Sequence, residues 1–205
     1  DPVDPAALPD AWRGARAWMI APVAAEIPDA WAEIPTAGAR VALGWQGLLR
    51  VLKQGARVHH RQPFSSPVVR RADLVGVGVD DVDDTTAPAD LTRLLHPGAE
   101  MLLTDGVHGG HAYRVGERGD VASSRHWHSI PIRAYVDPVG AGDSFLSGVF
   151  AAQVEPSLVT GWTSGDADLR LGAACGSLIL EGPGLFAVPH LEDAIARMSG
   201  GDNPD

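Results

Sequence analysis

The stretch from Val136 to Phe150 constrains this chain more than any other. An apolar strand end at Val136 is expected to run into a turn of small residues, Gly140-Ala141-Gly142. That turn opens onto a helix whose apolar positions are Phe145, Leu146, Val149 and Phe150. The first N–H groups of a helix have no partner inside it, so those of Gly140, Ala141, Gly142 and Asp143 are expected to converge on one spot. The positive end of the helix dipole stands behind them. Such a cradle attracts phosphate or a developing negative charge. Asp143 is the odd member, because a carboxylate repels an anion unless it has work to do there. Taking a proton from an attacking hydroxyl, while the amides hold a phosphoryl group, is such work. The plainer reading is a helix start where Asp143 only complements the dipole.

The rest of the chain reads as alternating strands and helices. Ala17 to Ile20, Val41 to Leu43, Asp73 to Val77 and Met101 to Thr104 are short apolar runs of buried-strand character. His111 to Val115 is expected to pair beside the last of these after the Gly109-Gly110 turn. Pro28 to Ile34 reads as a short helix with Trp31 and Ile34 inward, and Asp90 to Leu95 as a helix capped by Asp90. Ser164 to Leu180 reads as a long helix in which Gly172 and Gly176, four apart, admit a close neighbour. Leu191 to Met198 is the last helix. The pattern predicts one α/β domain over residues 1–198, built on a mostly parallel sheet covered on both faces, with ligands at the strand C-termini. Residues 199–205 are expected to be a disordered tail.

Composition narrows the function classes. A chain of 205 residues, 45% hydrophobic, can bury a substantial core. Its 16 basic and 26 acidic residues give a net charge of −10, which argues against nucleic acid as a partner. No apolar run approaches the length of about 18 residues that a membrane span needs, and no secretory signal is visible. The single cysteine, Cys175, has no partner for an intrachain disulfide and reads as a core thiol of a reducing, cytoplasmic compartment. Gly76-Val77-Gly78 lacks the third glycine of a dinucleotide loop and has acidic residues where phosphate would sit. His59-His60 and the strand-like His126-Trp127-His128 have no third ligand at metal-binding spacing.

The region around the turn resembles the C-terminal signature of the ribokinase-like (PfkB) sugar kinases, Asp-Thr-x-Gly-Ala-Gly-Asp. It stands here as Asp137-Pro138-Val139-Gly140-Ala141-Gly142-Asp143, with Pro in place of the common Thr. Upstream, Leu102-Leu103-Thr104-Asp105-Gly106-Val107-His108-Gly109 resembles the family's strand and Thr-x-Gly-x-x-Gly loop, which implies that Thr104, Gly106 and Gly109 lie along nucleotide phosphates. Downstream, Ala173-Ala174-Cys175-Gly176 and Glu181-Gly182-Pro183-Gly184 resemble the helix and loop that close on the nucleotide base, which implicates Ala174 and Gly184. The resemblance spans roughly residues 72 to 198.

What the resemblance implies is an ATP-dependent kinase acting on a hydroxyl of a sugar or nucleoside-like alcohol. The fold would be a three-layer α/β/α domain, with Asp143 as general base and Gly140, Ala141 and Gly142 as anion hole. It also implies Mg²⁺ and a monovalent cation such as K⁺ near Asp137, held partly by carbonyls around Val139 and Gly184. Where the family usually has Asn-x-x-Glu toward Mg²⁺, this chain reads Gly78-Val79-Asp80-Asp81. Asp81 is the candidate to act on the metal through water, against the alternative of a solvated acidic helix start shared with Asp83 and Asp84. A family member of full length carries further strands, paired sugar-gripping glycines and a lid before the point where this sequence begins, at Asp1-Pro2-Val3. The expectation is therefore the C-terminal two thirds of a kinase, inactive alone, from a parent that dimerises through its lid. The competing function is a catalytically silent nucleotide-binding or regulatory module.

Overall fold

The computed structural model describes residues 1–53 and 55–200. Its contacts divide the chain into two compact units. The first comprises Asp1–Thr104 and His111–Ser124, the second Asp105–Gly110 and everything from Arg125 onward.

The first unit is organised by a six-stranded sheet of order β1-β2-β5-β6-β7-β8. Its strands are β1 (Ala17–Ile20), β2 (Arg40–Gly44), β5 (Leu74–Gly78), β6 (Glu100–Thr104), β7 (Gly110–Val115) and β8 (Val121–Trp127); the last residues of β8, from Arg125, belong to the second unit. Strands β3 (Arg50–Val51) and β4 (His59–His60) form a separate antiparallel pair. β1, β2, β5 and β6 run parallel, in a register that sets Ala42 beside Leu74 and Val75 beside Met101. Val41, Ala42, Leu43, Leu74, Val75, Met101 and Leu102 are all fully buried. A strand covered on both faces has no need to alternate, which is why these elements appear in the sequence as short continuous apolar runs.

The helices of this unit are short: α1 (Asp10–Arg13), α2 (Gln46–Leu49), α3 (Pro67–Arg71) and α4 (Pro88–Thr92). Two expectations change here. The helix expected over Pro28–Ile34 is a 3₁₀ turn, Asp29–Glu33, closed by i→i+3 bonds such as Trp31 N–H to the Pro28 carbonyl at 3.0 Å. So short a segment makes too few α-type bonds to offset nucleation. Asp90 does not precede its helix but lies within the first turn. Its carboxylate accepts the Ala87 N–H at 3.3 Å and pairs with Arg93 at 2.9 Å.

The second unit carries α5 (Ala141–Val154), α6 (Ala167–Ile179) and α7 (Leu191–Gly200). Residues 201–205, most of the expected tail, lie outside the described residues. Phe145, Leu146, Val149 and Phe150 are buried, as their spacing predicts. Helices α5 and α6 meet through glycine. A Cβ on Gly148 would stand 2.8 Å from the Gly172 Cα, and one on Gly176 would stand 3.4 Å from the Ala141 carbonyl oxygen. Ala152, Leu171, Ala174, Ala194 and Met198 then form a cluster shared by all three helices.

An ion pair braces this unit. Arg125 of β8 donates to both oxygens of Asp168 on α6, at 2.9 and 3.1 Å, and Gln153 of α5 adds a third bond at 3.0 Å. Burial pushes the Asp168 carboxyl up, but the bonds from Arg125 and Gln153 outweigh it, so the group titrates below its ordinary value of 3.8. A group whose pKa falls on folding stabilises above its unfolded value and loses that contribution as pH falls through the folded one. Asp168→Asn is expected to cost about 1.5–3 kcal/mol near pH 7. The gap to the unsubstituted protein should narrow below about pH 4. Urea titrations at several pH values check this; a gap independent of pH would mean that Asp168 contributes shape and not charge.

Candidate functional site

The Gly140 turn is built from the bottom by backbone geometry. Gly140 sits in the left-handed region, with φ 85° and ψ 2°, and its carbonyl accepts the Ser144 N–H at 2.8 Å to start α5. A side chain at Gly140 would be strained by that φ. Among the described residues, the N–H groups of Gly140 and Gly142 have no hydrogen-bond partner. Nothing lies within 4 Å of the point where a Cβ on Gly142 would be, so the space before this amide is open. Asp143 is exposed in the first turn of the same helix.

Two parts of the expected cradle differ. The Ala141 N–H turns back to the Pro138 carbonyl at 3.3 Å, leaving Gly140 and Gly142 as the amides of the turn without a partner among the described residues. The residues before the turn are not a strand end: Val136 donates its N–H to the Leu180 carbonyl at 2.8 Å, at the C-terminus of α6. An apolar run signals burial or pairing, and here the partner is a helix end instead of a neighbouring strand.

The Gly106–Gly109 loop is in the same unit and is fastened to the same helix through Trp127. Gly109 has φ 86°, and a Cβ there would lie 2.1 Å from the Trp127 carbonyl oxygen, so only glycine fits. The loop closes on itself by bonds from Asp105 N–H to Gly109 O at 2.8 Å and from His108 N–H to Asp105 O at 2.9 Å; the Ser129 hydroxyl donates to the Val107 carbonyl. The Trp127 ring stacks on Phe145 with centroids 4.8 Å apart, two residues beyond Asp143. The structure thus brings Gly106 and Gly109 together with the start of α5. Trp127 was legible only as one of six scattered tryptophans, and nothing in its local sequence marks this role.

Both candidate metal residues accept main-chain N–H groups. Both oxygens of Asp137 accept main-chain N–H groups, from Val139 at 2.9 Å and from Gly184 at 3.2 Å. The side chain therefore fastens the turn to the Gly184 loop. Asp81 is 5% exposed, and its Oδ2 accepts the Gly78 N–H at 3.2 Å. It stands with Thr104 at the ends of β5 and β6 in the first unit: a Cβ on Gly78 would be 3.0 Å from Asp81 Oδ2 and 3.6 Å from Thr104 Oγ1. The Thr104 hydroxyl reaches the Val77 carbonyl at 3.4 Å. No group of three His, Cys, Asp or Glu side chains among the described residues is placed to hold a metal, although the rings of His126 and His128 do stand 4.5 Å apart.

Ala174 is also corrected. It is fully buried in the cluster between α6 and α7, so its methyl group serves packing and presents nothing to a nucleotide base. Cys175, half-buried beside it, has its thiol pushed up to about 11 by burial and is not a nucleophile at neutral pH. Glu181, which opens the loop before Gly184, and Arg197, which the sequence does not single out, form a bidentate pair at 2.8 and 2.9 Å. The Arg197 guanidinium holds the Glu181 carboxyl below its ordinary range against an opposing effect of burial.

With this geometry in hand, comparison with known proteins is informative. The sequence matches the pfkB family carbohydrate kinase profile over residues 78–190. The structure is similar to that of Arabidopsis thaliana ribokinase complexed with ribose and ATP, with TM-score 0.64 and 21% identity, covering 91% of this chain and 56% of that one. It is similar to fructokinase with bound ATP from Xylella fastidiosa, with TM-score 0.64 and 15% identity, covering 94% and 64%. It is also similar to Burkholderia thailandensis nucleoside kinase in complex with inosine, with TM-score 0.60 and 17% identity, covering 91% and 56%. At these identities the likeness establishes the fold, a ribokinase-like α/β architecture, and this chain spans 56 to 64% of those proteins' lengths. No curated protein matches the sequence. No helix among the described residues is long and apolar enough to cross a membrane.

Proposed function

We propose a function from the premise that this chain belongs to the pfkB family of carbohydrate kinases: it carries the phosphoryl-transfer half of an ATP-dependent kinase whose acceptor is a hydroxyl of a sugar or nucleoside. The observation that carries this reading is an exposed carboxylate, Asp143, in the first turn of a 14-residue helix, directly after a turn in which, among the described residues, the N–H groups of Gly140 and Gly142 have no hydrogen-bond partner. ATP, when bound, supplies the γ-phosphoryl group. The amides of Gly140 and Gly142, with the positive end of α5, hold the negative charge of the group in transfer. Asp143 accepts the proton of the acceptor hydroxyl as that oxygen bonds to phosphorus and the bond to the leaving ADP oxygen breaks.

The Gly106–Gly109 loop, fixed by Trp127 beside the same helix, is assigned to the nucleotide phosphates, and the Gly184 loop to the base end. Mg²⁺ is assigned to the nucleotide's own phosphates and water, with Asp81, one of whose oxygens is bonded to Gly78, acting on it through water, since Mg²⁺ needs few direct protein ligands. A monovalent cation is assigned near Asp137, with main-chain carbonyls around Val139 and Gly184 as further ligands, since the Asp137 carboxylate ties these two segments together. A cytoplasmic location is part of the proposal, since the reaction would draw on intracellular ATP. Acceptor choice belongs to the protein as a whole, of which relatives have much more than this chain covers.

Gly142→Val tests the reading. A β-branched side chain in the open space would block the approach of phosphate, while meeting no protein atom within 4 Å. In the full-length protein, the dissociation constant for a non-hydrolysable ATP analogue is expected to rise at least about tenfold. The melting temperature should move by no more than about 2 °C. Unchanged affinity would mean that the turn is no anion site. Analogue binding without ADP release on any sugar or nucleoside tried would favour the silent nucleotide-binding module instead.

A further inference from the structure

The segment that leads into the Gly140 turn and the loop that follows α6 are tied together repeatedly. The Arg133 N–H donates to Glu181 Oε1 at 2.7 Å, the Val136 N–H to the Leu180 carbonyl at 2.8 Å, and the Gly184 N–H to Asp137 Oδ2 at 3.2 Å. Asp137 holds Val139 as well. Residues 181–184 are therefore anchored at both ends by carboxylates, with Gly182-Pro183 between them. The anchor at Glu181 is itself gripped from the last helix. Arg197 of α7 donates from both terminal nitrogens to Glu181, and its Nη1 also reaches the Pro131 carbonyl and the Ser177 hydroxyl at 3.3 Å each. The Arg197 side chain is 9% exposed. A planar, bidentate fork fixes the orientation of a carboxylate as well as its position, which a lysine's single ammonium does not.

We propose that Arg197 is a positioning residue for nucleotide binding: by orienting Glu181 it holds residues 181–184 in register with Arg133–Asp137, so that the base loop and the phosphate cradle are presented as one preorganised surface. The inference rests on the assignment of the Gly184 loop to the nucleotide. Without the fork, Glu181 can turn away, Arg133 loses its acceptor, and a loop containing two glycines gains conformations that must be lost again on binding. The cradle itself, begun by the Gly140–Ser144 bond of α5, stays formed. The consequence is a change in affinity with little change in the chemical step.

The test uses Arg197→Met, Arg197→Lys and Glu181→Gln in the full-length protein, read by hydrogen exchange at the Arg133 and Gly184 amides and by steady-state kinetics in ATP. Arg197→Met is expected to speed exchange at both amides and to raise the KM for ATP about tenfold, with kcat within about twofold. Arg197→Lys should recover part of the effect. Glu181→Gln, which keeps the shape and removes the charge, should do the same as Arg197→Met and carries the test if the latter fails to fold. The double variant should add little to either single change. Unchanged exchange at Gly184, an unchanged KM for ATP, or a fall in kcat with constant KM would each overturn the proposal. An unsubstituted protein that neither binds nor uses ATP refutes the proposed function itself, and is recognised before any variant is made.

Discussion

Asp143→Asn in the full-length protein is expected to lower kcat at least about a hundredfold while the KM for ATP stays within about threefold. Asparagine keeps the size of the side chain and its capacity to hydrogen-bond, but it cannot take up a proton in the transition state. The Ser147 hydroxyl is bonded at 2.7 Å to the main-chain carbonyl of residue 143, a contact that the substitution retains. Removing a negative charge beside the amides of Gly140 and Gly142 also removes a repulsion toward the nucleotide's phosphates, so any change in ATP affinity should be toward tighter binding. The acid limb of the pH–rate profile, which reports loss of an ionised base, should disappear with the carboxylate. Turnover near the unsubstituted rate would remove Asp143 from the chemistry and leave it the plainer role of complementing the helix dipole.

The elements that were legible in the sequence are those whose signal is local. The runs Val41–Leu43 and Met101–Thr104 appear as strands because a doubly covered strand carries its burial in consecutive residues, whereas the edge strand Ala17–Ile20 buries Trp18 and Ile20 and exposes Met19 between them. The glycines at 172 and 176 announce a close helix neighbour, which is α5. The site was legible to the extent that it rests on one turn: Gly140, Gly142 and Asp143 lie within four residues and need no tertiary information. What escaped depends on partners distant along the chain. Ala174 reads as part of a base-binding helix, but whether a residue of α6 faces a ligand or α7 is decided by helix packing. Nothing in the sequence shows that Asp137 also accepts the amides of Val139 and Gly184, the second of them 47 residues away. Arg197 and Glu181 are ordinary surface-type residues in composition, and only the approach of α7 to the end of α6 makes them a buried pair. Trp127 escaped for the same reason, since its partners are Phe145 and the backbone at Gly109.

Gly172→Val is expected to be the most damaging single change to the fold of the second unit. A Cβ on Gly172 would lie 2.4 Å from Val149 Cγ2, 2.7 Å from the Phe145 carbonyl oxygen and 3.1 Å from Phe145 Cδ2. The Val149 methyl can rotate away, but the Phe145 carbonyl is backbone and moves only if α5 moves. Gly148 approaches from the other side, where its own Cβ position is 2.8 Å from the Gly172 Cα, so α5 cannot slide along α6 to make room. Overpacking of this kind costs about 3 kcal/mol or more. At the size of this chain that lowers the melting temperature by roughly 6–12 °C. Because Phe145 is two residues from Asp143, whatever folds will present a displaced cradle, and affinity for an ATP analogue should fall together with stability. Gly165→Ala is the matched control: nothing lies within 4 Å of its Cβ position, and its stability should be close to that of the unsubstituted protein. Set beside Gly142→Val, which is expected to lose the nucleotide and keep the fold, the pair separates glycines kept open for a ligand from those closed for a helix. A Gly172→Val protein that melts like its parent would show that α5 and α6 can part without cost, and that the cradle does not depend on their contact.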